Sequence, residues 1–243
     1  MDFTILKDMI DKRLSVRRYE KRALDEITRA EILSAVSDVK PLYSDIKTAF
    51  RYFRRDEVRS LMPWMPEDAI GIYSEVKDGY LENAGFMLAE ADLYLQSRGI
   101  GACWVGLAGP KDKEPVDGME FVILLAIGKT NVKARNGASD FKRKAISEIT
   151  SSEELYGALE PARLAPSSVN SQPWYFVKCG DEIDVYQLDL VRTKGLRRMN
   201  RIDVGIALAH LFVSRPDGFF AYVKNDAPER GGMTYITTVK YFG

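Results

Sequence analysis

Histidine is nearly absent: the 243 residues contain one, His210. It lies beside Leu208, Ala209 and Leu211 in a helical apolar pattern, so it is read as a packed residue with no catalytic role. The two cysteines, Cys103 and Cys179, share no CxxC spacing and indicate neither a zinc site nor a disulfide framework. They are read as reduced thiols, and no metal is expected. Net charge is missing too. Lys and Arg total 35 against 35 Asp and Glu, which removes the basic field of a dedicated nucleic-acid binder and requires any bound anion to be held locally. The longest apolar run, Phe121 to Ile127, is far short of the ~20 residues of a membrane helix. Met1 to Asp8 carries acidic residues and no secretory h-region, so the expected compartment is the cytoplasm.

A hydrophobic content of 46% is enough for a substantial core. Thr28-Arg29-Ala30-Glu31 and Ser151-Ser152-Glu153-Glu154 both have the form of a capping box. Each opens an amphipathic pattern, with Ile32, Ala35, Val36 and Val39 at the offsets of Leu155, Ala158, Leu159 and Ala162. A second pair of helices matches at Gly85, Leu88 and Ala89 against Gly205, Leu208 and Ala209. Strand patterns follow, at Cys103 to Leu107 and Phe121 to Ile127 in the first half and Phe219 to Val223 and Tyr235 to Tyr241 in the second. The order is the same in both halves, so the chain reads as one unit over residues 1–243 with internal repeats of about 1–150 and 151–243. Helices and strands without regular alternation predict an α+β fold in which the halves share a core. Residues Lys47 to Glu67, rich in Arg, aromatics and Met, are read as a packed or solvated helix, with a lid over a pocket as the alternative.

Four segments have the chemistry of a ligand site. Arg13, Ser15 and Arg17 alternate, so in an extended segment they face one way, and guanidinium groups suit phosphate oxygens. Taken alone, that pattern describes a solvated basic turn just as well. Ala165-Pro166-Ser167-Ser168-Val169-Asn170-Ser171-Gln172-Pro173-Trp174 combines a helix stop, short polar groups and a strand entry. Taken alone, it also fits a turn that satisfies only its own backbone. Gly99 to Gly106 follows a helix and opens a strand, the reverse of a dinucleotide fingerprint. Lys142-Arg143-Lys144 is a basic triplet, either solvated or a second clamp on the phosphate.

Together these segments resemble the FMN-dependent nitroreductase family, most closely its divergent branch of the Thermotoga type. The Pro-Ser-Ser turn and the Gly-x-Gly-Ala-Cys-Trp-Val-Gly loop carry most of the likeness. The resemblance implies an FMN held by Arg13 and Arg143 at the phosphate, with Lys142 and Lys144 as helpers. Ser15 and Arg17 would lie along the ribityl chain and the pyrimidine edge; Pro166, Ser167, Ser168 and Asn170 would line the ring from the other side. Backbone N–H groups near Gly106 and Leu107 would face the flavin N5. The implied activity passes reducing equivalents from NAD(P)H through the flavin to an oxidised acceptor such as a nitroaromatic or quinone, and no catalytic protein side chain is required. A flavin-binding carrier or sensor without turnover is the alternative. Ordinary members are homodimers whose serine turn reaches across the interface, whereas here the turn follows the Gly-Cys-Trp loop, as if the dimer were fused into one chain. A monomer with one complete site is then possible. Residues 45–80 lie outside the resemblance.

Overall fold

The computed structural model describes residues 1–189 and 193–241, with Lys194 described by its backbone alone. Two buried helices, α3 (Tyr80–Ser97) and α5 (Lys194–Ser214), form the centre. They cross where glycine removes the side chain. A Cβ on Gly85 would lie 2.2 Å from Ile202 O, and a Cβ on Gly205 would lie 2.1 Å from Glu82 O. The contact is reciprocal: each glycine meets the backbone three residues before the other, the signature of a two-fold crossing.

Each helix packs on its own four-stranded sheet. The first sheet contains β1 (Thr48–Arg54), β3 (Asp68–Ser74), β4 (Ile100–Val105) and β6 (Glu120–Lys129), in the order β1-β3-β6-β4. The second contains β7 (Trp174–Cys179), β8 (Glu182–Leu188), β9 (Phe220–Tyr222) and β10 (Met233–Lys240), in the order β7-β8-β10-β9. In both, the spatial order is first, second, fourth, third along the chain, and the central helix falls between the second and third strands. All named strand pairs are antiparallel, so the expected α+β class with a mainly antiparallel sheet is borne out. The remaining helices are α1 (Phe3–Met9), α2 (Glu26–Ser37) and α4 (Tyr156–Leu164). The sequence-matched positions Ile32, Val36 and Val39 are buried, as are Leu155, Leu159 and Ala162.

The helix expected over residues 47–67 does not form. That stretch makes β1, a single 3-10 turn and β2 (Val58–Ser60), which pairs with β5 (Ala108–Pro110). Aromatic residues favour the pleated surface, and the arginines cover rings: Arg51 lies 4.9 Å from the Phe53 centroid and Arg29 4.7 Å from that of Tyr52. The β2–β5 ribbon shields a second apolar cluster of Phe53, Val58, Tyr73, Met119 and Leu124. The first sheet is thereby buried on both faces, which is why Phe121 to Ile127 reads as a continuous apolar run.

Both capping boxes also need correction. Asp25 caps α2 by accepting from Thr28 N–H at 2.9 Å, and that bond holds its carboxyl well below the usual range. Thr28 is therefore inside the first turn. Ser152 precedes a 3-10 turn without a side-chain cap, and α4 begins only at Tyr156. No helix among the described residues is long and apolar enough to cross a membrane.

Candidate functional site

After α1 the chain runs beside β4. Leu14 N–H donates to Gln96 Oε1 at 2.9 Å and Val16 N–H to Ala102 O at 3.0 Å. Pinned in this way, the segment alternates: Val16 is buried in the core while Ser15 and Arg17 face a pocket. The opposite wall comes from the other half of the molecule. α4 ends at Leu164, and the turn that follows presents Pro166, Ser167 and Ser168. Trp104 and Gly106 at the end of β4, with Met199 and Asp203 of α5, complete a space of ≈ 570 Å³ that includes its open mouth. A Cβ on Gly106 would lie 2.9 Å from Met199 Cε, so a side chain there would have to displace the flexible end of that methionine.

The turn is held by side chains that reach it from outside. Both carboxylate oxygens of Asp203 accept from Ser168 N–H at 3.0 Å. Ser167 Oγ accepts from Gln172 N–H at 2.9 Å. Arg143 donates to Ala165 O at 3.0 Å, to Leu164 O at 3.1 Å and to Asn170 Oδ1 at 2.8 Å, so it caps α4 and clasps the turn at once.

Behind the pocket, guanidinium groups gather. Arg13 is 1% exposed, with Nε 3.2 Å from Asp92 Oδ2, and Asp92 also accepts from Trp104 Nε1 at 3.0 Å and Gln96 Nε2 at 2.6 Å. Arg13 Nη2 is buried without an acceptor. Arg135 donates to Arg13 O and stacks 4.0 Å from the Phe141 centroid, over which Arg143 also lies. Burial, then the neighbouring charges of Arg13, Arg135 and Arg163, lowers the Arg143 pKa to about 10. Burial together with Arg13 and Arg143 depresses His210 to about 3 and keeps its imidazole neutral. Burial pushes Asp203 the other way, up to about 8, against the opposing effect of the Ser168 N–H.

A family model described as "Putative TM nitroreductase" matches residues 5–215. The chain belongs to this nitroreductase family. Among solved structures, a protein of Thermotoga maritima described as a nitroreductase aligns with 19% identity and a TM-score of 0.66, covering 99% of this chain and 95% of its own. A nitroreductase family protein of Clostridium difficile 630 aligns at 16% identity and a TM-score of 0.48, covering 63% of this chain and 99% of its own. An FMN-dependent nitroreductase of Clostridium difficile R20291 aligns at 11% identity and a TM-score of 0.42, covering 57% and 98%. No curated protein matches. The family resemblance read from the sequence is borne out.

In this family member the residues singled out from sequence fall into two groups. Ser15, Arg17, Gly106, Pro166, Ser167 and Ser168 meet in the pocket. Arg13, Arg143 and Asn170 do not line it. Asn170 is bonded to Arg143, and Arg13 is turned inward to Asp92 because it still belongs to the helical stretch, with its N–H bonded to Met9 O at 2.8 Å. The expectation that Arg13, Ser15 and Arg17 share one extended face is corrected accordingly. Leu107 is exposed beyond Gly106 and does not line the pocket. Lys144 serves the turn from behind, its Nζ donating to Gln172 O at 2.9 Å.

Sequence reasoning missed Asp92, Trp104, Arg135, Met199 and Asp203. Asp203 had a signal: it stands two residues before the matched glycine, where the first half has Asn83. Arg135 had none, because it lies in a loop with no pattern around it.

Proposed function

We propose that this nitroreductase-family protein is an FMN-dependent oxidoreductase that carries reducing equivalents from NAD(P)H to an oxidised acceptor such as a nitroaromatic or quinone. The observation that carries the reading is the convergence of Ser15 and Arg17 with Pro166, Ser167 and Ser168 on one pocket, backed by the buried Arg13 and the half-buried Arg135 and Arg143. Those residues fit the cofactor. Arg13 Nη2, buried and lacking an acceptor, is the donor a phosphate oxygen would satisfy, and a charge-assisted bond of that kind contributes about 1.5–3 kcal/mol.

Bound here, the flavin would supply hydride acceptance and donation at N5. The protein's part is to hold and orient. Arg13 and Arg143, which stand behind the pocket wall, would hold the phosphate from there, and Arg17, on the wall itself, would set positive charge beside the ring. Ser15 and the Pro166–Ser168 turn offer short polar groups on either side, while Gly106 lets the backbone approach closely. The equal strand order of the two sheets and the reciprocal Gly85–Gly205 crossing support a second part of the reading: the repeats are the two subunits of a family homodimer joined in one chain. One complete site per chain follows, since the first-half turn Leu42-Tyr43-Ser44-Asp45 has only one of the two serines.

Titrating FMN into purified protein tests this directly. The protein should become yellow with one FMN per chain and gain about 2.7 kcal/mol at a hundredfold excess over Kd. It should then oxidise NADH or NADPH in the presence of a quinone. Binding without turnover would identify a carrier or sensor; no binding would end the flavin reading, and two FMN per chain would end the fused-dimer reading.

A further inference from the structure

The halves fasten their turns to the central helices with different side chains. Asn83 Oδ1 of α3 accepts from Tyr43 N–H at 3.0 Å, and Asp203 of α5 accepts from Ser168 N–H at the same distance. In the first half a neutral amide provides the fastening. Asp203 differs from Asn83 in standing on the pocket wall. It is 2% exposed, its two oxygens share a single N–H, and it has no ion pair among the described residues.

An ionised carboxylate in that setting is costly, and the neutral acid much less so. Asp203 shares the pocket wall with Arg17 and Ser15 from the N-terminal segment, Trp104 from β4, Ser168 from the turn, and Met199 and Ile206 of its own helix. Arg17 is the other ionisable side chain on the wall.

We propose that Asp203 is a proton-holding positioning residue, which stays protonated at neutral pH and so keeps the pocket wall free of negative charge for the anionic, reduced form of the flavin. This rests on the flavin reading given above. The step is an acid–base equilibrium alone: the carboxyl O–H bond breaks, the proton passes to solvent, and no electron moves. Burial, which pushes Asp203 up to about 8, places the equilibrium just above neutrality.

The sign for the protein without flavin follows from linkage. The unfolded carboxyl ionises near pH ~4, so between that value and about 8 the native state binds more protons and stability falls as pH rises. Thermal unfolding of flavin-free protein from pH 5 to 9 should show this decline in the wild type and a shallower one in Asp203→Asn, which keeps an acceptor for Ser168 N–H as Asn83 does for Tyr43. Asp203→Ser, also able to accept a backbone N–H, replaces it if the amide variant does not fold. Parallel profiles in wild type and variant would overturn the proposal.

A second measurement reads the coupling to the ring. Between pH 7 and 9 the midpoint potential of bound FMN should fall in the wild type by about 30 mV more than in the variant, which for a two-electron couple is about a tenfold loss of affinity for the reduced form. Equal falls would overturn the coupling. Failure of the flavin reading is distinguishable, because the protein would then gain no stability from FMN while the flavin-free pH profiles still judge Asp203.

Discussion

The turns that follow α2 and α4 have corresponding places in the two halves and very different backbones. Around Leu42 to Asp45 no residue has positive φ, whereas Val169, Asn170 and Gln172 sit at φ 47°, 57° and 47°. Left-handed geometry at a β-branched valine is rare, and such strain costs on the order of 1–3 kcal/mol. The first turn lacks the strain and is filled instead: Tyr43 packs so closely on Gly79 that a Cβ there would lie 2.7 Å from its ring. The second keeps the strain and borders the pocket. Backbone energy has thus been retained in the half that faces the proposed ligand, a distribution expected when a site sets the local conformation.

The largest effect should come from the charge that serves only one half. Arg13→Ala leaves Asp92 buried beside two neutral donors, and loss of one partner of such a pair costs about 3–5 kcal/mol. Urea unfolding should register that loss, and FMN should no longer stabilise the variant. Adding Asp92→Asn should recover most of the stability and none of the FMN effect. If Arg13→Ala retains its full FMN response, the phosphate grip belongs elsewhere.

Next in size are Gly85→Ala and Gly205→Ala, which test whether the helix crossing is shared equally. Each methyl group meets a backbone carbonyl rather than a movable side chain, so α3 and α5 must separate. A loss of about 2–3 kcal/mol is expected from each, similar in the two variants. A tolerated alanine at one position and not the other would break the symmetry.

Those glycines show what the sequence could reveal. The match between the two central helices was legible because Gly85 and Gly205, with the apolar positions around them, are constrained by close packing that only small residues satisfy. The pocket-lining serines and Arg17 were legible because a polar turn and a basic alternation are local patterns. Asp92 and Arg135 were not, since their roles depend on contacts across the fold: Arg135 with Arg13, 122 positions away. The strands over residues 48–74 were obscured by arginines such as Arg51, which looked solvated until the Phe53 ring beneath it was placed.

Asn83→Asp carries the acid of the second half into the first. Asn83 is fully buried, and its Nδ2 has no partner, so an acid there loses no donor bond and gains a charge it cannot shed to solvent. The new carboxyl should titrate above its ordinary range, with stability falling as pH rises above ~4. Calorimetry should find the variant about 1–3 kcal/mol weaker at pH 8 and close to wild type at pH 5. A pH-independent deficit would mean that the site disfavours the shape of the side chain rather than its charge.

The smallest effect, and the sharpest on the comparison of turns, is expected from Val169→Gly. Glycine adopts φ 47° without steric cost, which favours the native turn, yet it also frees the unfolded chain, which opposes that gain by roughly 0.4–1 kcal/mol. Val169 is exposed, so little apolar burial is lost. Relief of strain should win narrowly, raising stability by about 0.5–1 kcal/mol in the flavin-free protein. Leu42→Gly, in a turn without positive φ, has no strain to relieve and should only lose stability. Opposite signs in the two variants would locate the stored strain in the pocket-bordering turn; a loss in both would show that the valine conformation is carried without cost.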